Sequence, residues 1–127
     1  MTIHHDKMAY GRLDSLKEDF SQSKLNEMAD ALNARTEREK MVAGELYNPA
    51  DAELADLRKR VRKLAFAYNN TDEDETEKRM ELLDAMFGGH GEHFYCEPPV
   101  RFDYGCNTTV GNCFYSNFNL VILDCAP

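Results

Sequence analysis

The end of the chain repeats every six residues. "VGNCFY", "SNFNLV" and "ILDCAP" begin at Val110, Ser116 and Ile122, each with a small or aliphatic residue in first place. From Phe94 onward no helical period survives; the residues are aromatic, β-branched, Asn, Gly and Cys, a composition that suits short strands between tight turns. So short a period is the mark of a solenoid. If each hexapeptide forms one flat side of a triangular coil, its first and fifth residues point inward. Those are Val110, Ser116 and Ile122, then Phe114, Leu120 and Ala126, with Thr108 and Phe102 reached by counting back. Three sides then make one turn of a parallel β-helix. A coil buries its interior only against the coils above and below it, and residues 100–127 supply about one and a half of them. Phe114, Leu120 and Ile122 are therefore expected to stay partly uncovered, with self-association or local disorder over 100–127 as the consequence.

The chain before Gly88 and Gly89 follows a different rule. Apolar side chains at Tyr10, Leu13, Leu16 and Phe20, then at Leu25, Met28 and Leu32, predict one or two amphipathic helices over 10–33. "TERE" at 36–39 is a capping box, in which the Thr36 hydroxyl and the Glu39 carboxylate each satisfy the other residue's backbone amide. Gly44 closes that short helix, because glycine enters the left-handed conformation without steric cost. In "NPAD", Asn48 is the expected N-cap of the next helix, Pro49 its first residue and Asp51 a favourable charge at its positive end. Leu54, Leu57, Val61, Leu64 and Tyr68 then form one apolar stripe. After "NNTDED", Thr71 is expected to cap a further helix with Met80, Leu83 and Phe87 as its stripe, which the two glycines stop.

Charge and cysteine spacing narrow the function classes. Fifteen Lys plus Arg against 23 Asp plus Glu leave a net charge of −8, which repels a phosphate backbone unless cations are concentrated in one place. Only "LRKRVRK" concentrates them, and there Arg58, Lys59, Arg60, Arg62 and Lys63 read as the solvated face of the helix, so no nucleic-acid partner is expected. No apolar run is long enough to span a bilayer, and "MTIHHDKMAY" lacks the core of a signal peptide; a cytoplasmic protein without membrane contact is expected. Cys96, Cys106, Cys113 and Cys125 contain no C-x-x-C pair, so they read as free, mostly buried thiols. "GGHGEH" places Glu92 between His90 and His93, but its glycines favour a solvated turn over a helical metal site, and no metal is expected.

Three stretches carry a family resemblance: "TEREKMVAGELYNPADAELADLRKRVRKLAFAYNN", then "MELLDAMFG", then "EPPVRFDYGCNTTVGNCFYSNFNLVILD". Together, in order and spacing over residues 36–127, they resemble the maltose and galactoside O-acetyltransferases, sugar acetyltransferases of the hexapeptide-repeat class. The resemblance implies an α+β fold. A helical N-terminal subdomain over 36–89 would precede the first one to two coils of a left-handed parallel β-helix over 90–127, with residues 1–35 a helical extension of unassigned role. It also implies acetyl-CoA as co-substrate, a sugar hydroxyl as acceptor, and a homotrimer with active sites between subunits.

Site residues follow only from the same resemblance. Asn117 in "YSNFN" matches the asparagine that stabilises the transition state, where an amide N–H can hold charge on the thioester oxygen. Tyr115 and Asp103 match positions lining the acceptor pocket. Asn48 lies near an acidic pocket residue of the family, though the local match is loose. Cys125 stands where some members carry a pocket aspartate, which leaves the acceptor's identity open. Each has a plainer reading beside it: Asn117 and Asp103 as turn formers, Tyr115 as outward packing. The family's general base is a histidine in a later "T-x-H-P"-like loop, and none of His4, His5, His90 or His93 matches it. The 127 residues alone are thus expected to be inactive. An acetyltransferase whose sequence stops short, an inactive remnant and an oligomerisation or binding module stay open as readings.

Overall fold

A computed structural model describes residues 22–127. The chain divides into two compact units, residues 1–35 and 36–127. In the first, helix α1 (Gln22–Asn33) leaves Leu25 and Met28 exposed; Tyr10, Leu13, Leu16 and Phe20 lie outside the described residues.

The second unit opens with α2 (Glu37–Val42), and the capping box forms as expected. Thr36 N–H donates to Glu39 Oε2 at 2.8 Å and Glu39 N–H to Thr36 Oγ1 at 3.1 Å. Gly44, at φ 74°, ends it: Glu45 N–H reaches Lys40 C=O and Gly44 N–H reaches Met41 C=O, the paired bonds of a Schellman turn. Helix α3 (Ala52–Asn69) is capped by Asp51, not by Asn48 as the sequence suggested. The Asp51 carboxylate accepts from Glu53 and Leu54 N–H at 3.0 and 3.4 Å, whereas Asn48 Oδ1 is consumed one turn earlier by Ala50 N–H at 3.0 Å. Helix α4 (Thr76–Met86) also starts later than expected. Glu75 stands at its N-cap without a side-chain bond, while Thr71 Oγ1 donates to Tyr68 C=O and accepts from Arg79 Nε. A buried guanidinium thus takes the hydroxyl that local spacing assigned to a cap.

Six short strands follow: β1 (Gly89–His90), β2 (Tyr95–Cys96), β3 (Val100–Phe102), β4 (Thr109–Val110), β5 (Tyr115–Ser116) and β6 (Leu120–Ile122). Each of the first three pairs in parallel with the strand three places later, Gly89 opposite Thr109, Tyr95 opposite Tyr115 and Val100 opposite Leu120. The chain therefore returns on itself every twenty residues, not the eighteen of three hexapeptides. The extra length lies in the third corner, residues 103–108, where Gly105 adopts φ 73° and a Cβ would stand 2.3 Å from Met86 C=O. The ladder also begins earlier than the sequence suggested. His90, expected in a solvated turn, belongs to β1, with its ring stacked on Phe94 at 4.3 Å and Nε2 2.8 Å from the Asp84 carboxylate.

Side chains alternate along the strands as a coil requires. Phe102 is buried, and Val110, Phe114, Leu120 and Ile122 pack against the same core, while Tyr115 and Val121 face out. Ala126 is exposed, contrary to the six-residue count, because by the twenty-residue repeat it corresponds to Cys106, in the third corner and not on a flat side. At the centre Phe87 meets Phe94 and Phe102 edge-on, centroids 4.9 and 5.1 Å apart, so the end of α4 is locked to two sides of the coil.

The helices do more than cover the core. They satisfy the edge of the first strand layer, which would otherwise present unpaired backbone groups. Asn69 Nδ2 donates to Val100 C=O at 3.0 Å and Asn69 Oδ1 accepts from Val100 N–H at 2.8 Å. One amide replaces a missing strand. Tyr68 hydroxyl likewise donates to Cys96 C=O.

Candidate active site

Tyr115 and Asn117 flank the second corner of the second strand layer. Tyr115 is outward and exposed, its hydroxyl 3.4 Å from Glu97 Oε1. Partial desolvation first, and the Glu97 carboxylate second, hold its phenol above the ordinary value. Asn117 is exposed in the turn, with Oδ1 accepting from Phe118 N–H at 2.8 Å. That bond fixes the amide, leaving Nδ2 without a partner among the described residues and free to donate outward. The turn is pinned from above, where Asn119, at φ 65°, donates its N–H to Pro99 C=O at 3.1 Å.

Asp103 sits elsewhere, at the third corner, with its N–H donating to Ile122 C=O at 3.0 Å. It lines a trough of about 680 Å³ between α3 and the β3–β6 pair, together with Arg62, Phe66, Arg101, Val121 and Leu123. Neither Tyr115 nor Asn117 lines it. Asn48 is in a third place, the loop between α2 and α3, where its N–H donates to the Glu37 carboxylate. Lys40 and that amide hold the Glu37 carboxyl below its usual range. A single chain therefore brings Tyr115 and Asn117 together and leaves Asp103 and Asn48 apart from them.

Two charged residues matter here that sequence reasoning did not single out, and a third, Arg58, stands elsewhere than expected. Asp124, 5% exposed, accepts from Tyr104 N–H at 2.8 Å, Thr108 Oγ1 at 3.0 Å and Asn107 N–H at 3.2 Å, and so ties down the third corner. Arg79, 3% exposed, donates to Thr71 Oγ1, Tyr95 hydroxyl and Glu73. Arg58, expected on the solvated face, donates to Tyr104 hydroxyl at 2.7 Å and Pro49 C=O at 2.6 Å. Its position was readable: residues 54, 58, 61, 65 and 68 share one helical face. Lys59, Arg62 and Lys63 are exposed, as expected. Of the four cysteines, all free, only Cys96 is buried, a correction to the expectation of mostly buried thiols. Among the described residues no three His, Cys, Asp or Glu side chains gather as a metal would need, and no helix is long and apolar enough to cross a membrane.

A helical layer that satisfies the free edge of a parallel, three-sided strand coil defines a capped hexapeptide-repeat protein. Residues 40–91 match the family described as the maltose acetyltransferase hexapeptide capping motif. The galactoside O-acetyltransferase of Escherichia coli is 41% identical over 86 residues, which are 68% of this chain and 42% of that protein. Among solved structures, a maltose O-acetyltransferase from Clostridium difficile superposes with a TM-score of 0.71 at 41% identity over 73% of this chain and 50% of the other. A galactoside acetyltransferase in complex with coenzyme A gives 0.67 at 39% identity, over 71% and 45%. Over these stretches the chain is similar to the maltose and galactoside O-acetyltransferases, and it spans about half the length of these relatives.

Proposed function

We propose that these residues serve an acetyl-CoA-dependent O-acetyltransferase that modifies a sugar hydroxyl of the maltose or galactoside type. In this reading residues 36–89 cap a left-handed coil that begins over 90–127, residues 1–35 are a helical extension, and the enzyme is a cytoplasmic homotrimer. The sugar oxygen attacks the acetyl carbonyl carbon, its proton passes to a base, and the C–S bond then breaks to release coenzyme A as the thiol. His90 has both ring nitrogens engaged within the chain: Nε2 lies 2.8 Å from the Asp84 carboxylate and Nδ1 2.7 Å from Gly91 C=O. The histidine base belongs to a later coil, where the family also holds most of the coenzyme.

The observation that carries the reading is the Asn117 amide, fixed by its own turn with Nδ2 unspent beside the Tyr115–Glu97 pair. A donor held in place before the reaction stabilises developing oxyanion charge without reorganising. Tyr115 and Asp103 supply a phenol and a carboxylate for sugar hydroxyls. Their separation within one chain supports an acceptor site completed by a second subunit, with Asn48 at its margin.

A chimera tests this. Residues 1–127 are joined to the second half of the Escherichia coli galactoside O-acetyltransferase, and thiol release from acetyl-CoA is followed with galactoside and maltose acceptors. The expected result is acceptor-dependent turnover. Asn117→Ala lowers kcat by on the order of 10² with KM nearly unchanged, whereas Tyr115→Phe acts mainly on KM. A chimera that folds yet releases thiol no faster than without acceptor, or an Asn117→Ala variant with unaltered kcat, overturns the proposal.

A further inference from the structure

One carboxylate at the second corner has no charge to answer it. Glu97 is half-buried just after β2, and among the described residues it makes no ion pair. Its N–H donates to Ser116 C=O at 2.8 Å. The parallel register sets Tyr95 opposite Tyr115 and Cys96 opposite Ser116, so one more step along both strands brings Glu97 beneath Asn117. Its side chain reaches back across the ladder, where Oε1 lies 3.4 Å from the Tyr115 hydroxyl. Tyr95, the register partner of Tyr115, is turned to the buried Arg79 instead, its hydroxyl accepting from Nη1 at 2.9 Å. A single carboxylate thus adjoins both residues to which the proposed reaction gives work at this corner.

We infer that Glu97 is a positioning residue of the acceptor site: it accepts the hydrogen bond of the Tyr115 hydroxyl and so fixes Tyr115 as an acceptor for a hydroxyl of a neutral sugar. That role rests on the proposed acetyltransferase reaction, to which it adds the direction of one hydrogen bond. A phenol can donate or accept, whereas an ionised carboxylate only accepts. In this pair the proton is therefore the one on Tyr115, and it points at Glu97. The lone pairs of the phenol oxygen are left for solvent or for a donating hydroxyl, on a side chain that is 60% exposed. The contact is longer than the roughly 2.5–3.0 Å of a tight O–H···O bond, so it orients the hydroxyl without immobilising the ring. The phenol held above its ordinary value, by desolvation first and by Glu97 second, agrees with a carboxylate facing it. An anionic group on the acceptor would find the Tyr115 proton already committed and a like charge beside it. Glu97 itself touches no reacting atom in this arrangement.

The full chain tests the contact, and the chimera tests the role. With ζ-13C tyrosine incorporated, the Tyr115 signal is identified by its loss in Tyr115→Phe and titrated by NMR in wild type and in Glu97→Ala, with circular dichroism confirming the fold over the same pH range. Removing the carboxylate should lower the Tyr115 midpoint, because a nearby negative charge disfavours the phenolate. In the chimera, Glu97→Ala should raise the acceptor KM about three- to tenfold, with kcat and the KM for acetyl-CoA within about twofold. Glu97→Gln keeps an oxygen that accepts the hydroxyl and should recover most of that loss although the charge is gone. Added to Tyr115→Phe, Glu97→Ala should cost nothing more, since it acts only through the phenol proton. A midpoint unchanged in folded Glu97→Ala overturns the inference. So does an active chimera in which Glu97→Ala leaves the acceptor KM unaltered, or in which its effect adds in full to that of Tyr115→Phe, as a carboxylate touching the sugar itself would produce. A chimera without acceptor-dependent turnover overturns the proposed function and this role with it, while the titration reports separately whether Tyr115 and Glu97 are joined.

Discussion

Replacing Asn69 by leucine removes the one side chain that does the work of a neighbouring strand. Val100 is fully buried, and both of its backbone groups are satisfied by the Asn69 amide, at 2.8 and 3.0 Å. Leucine keeps the volume and deletes both partners. A buried backbone group left without a partner costs about 1–3 kcal/mol, so the two together cost about 2–5 kcal/mol once some relaxation at the end of α3 is allowed. Against a total of roughly 5–15 kcal/mol, that is a large share. For a unit of this size each kcal/mol moves the midpoint by about 4–8 °C, so Tm should fall by about 10 °C or more. Asn70→Ala is the control: its amide donates only to the Phe66 carbonyl, in solvent, and its loss should cost under about 1 kcal/mol. Urea unfolding followed by far-UV circular dichroism gives both values, and an unchanged m value confirms that the reference state is the same. If Asn69→Leu loses less than about 1 kcal/mol, the cap does not close the strand edge through this amide.

Gly105→Ala should cost more than about 2 kcal/mol in the same assay, since it adds left-handed strain to a Cβ 2.3 Å from Met86 C=O; a loss under about 0.5 kcal/mol would show that the third corner gives way freely. Asp124→Ala orphans the buried Tyr104 N–H and two further donors and should destabilise by about 2–4 kcal/mol; near-wild-type urea stability would mean that water replaces the carboxylate. Burial raises the Cys96 thiol from its ordinary 9.0 to about 11, so between those values the unfolded chain sheds a proton that the folded chain keeps. Stability should fall as the pH rises across that window, more steeply in wild type than in Cys96→Ala, and equal slopes in the two would remove Cys96 as the cause. At pH about 8, a thiol reagent should modify exposed Cys113 in the folded protein and spare Cys96; equal rates at the two would contradict the burial.

What the sequence disclosed divides by the range of the interaction involved. The Thr36–Glu39 box and the Gly44 stop depend on residues within six of one another, and both stand as read. The apolar stripe of α3 was equally plain. The cap assigned to Asn48 failed because the helix starts at Ala52 under the Asp51 carboxylate, so the local bond from Ala50 N–H to Asn48 Oδ1 closes only a separate turn, and the cap assigned to Thr71 failed because the buried Arg79 guanidinium takes its hydroxyl. Nothing in the spacing of Thr71 announces an arginine eight residues on that is covered by the first strands. The coil was visible as inward and outward alternation at Phe114, Tyr115, Leu120 and Val121, yet its length was not. A period of six was read from the flat sides, whereas the added residues lie in a corner whose only signal, Gly105 with the distant Asp124, is not periodic at all.

The same distinction governs the candidate site. Tyr115 and Asn117 lie two residues apart across one turn, so their proximity was guaranteed by the chain. Asp103 and Asn48 were grouped with them by resemblance alone, and the fold sets Asp103 at the next corner and Asn48 beside the Glu37 carboxylate. A site made from corners of a solenoid meets this limit generally. Neighbouring corners of one triangular coil point in different directions, so side chains at two of them converge only on something placed between two coils. In the proposed function, the geometry of a single chain thus favours a second subunit at the acceptor site. It also gives the Asn117→Ala and Tyr115→Phe pair its diagnostic value, because in that proposal those two act from one corner while Asp103 acts from another. In a mixed assembly of chimeric Asn117→Ala and Asp103→Ala subunits, each of lowered activity alone, a site shared between chains would recover a fraction of the activity. A site contained within one chain would recover none.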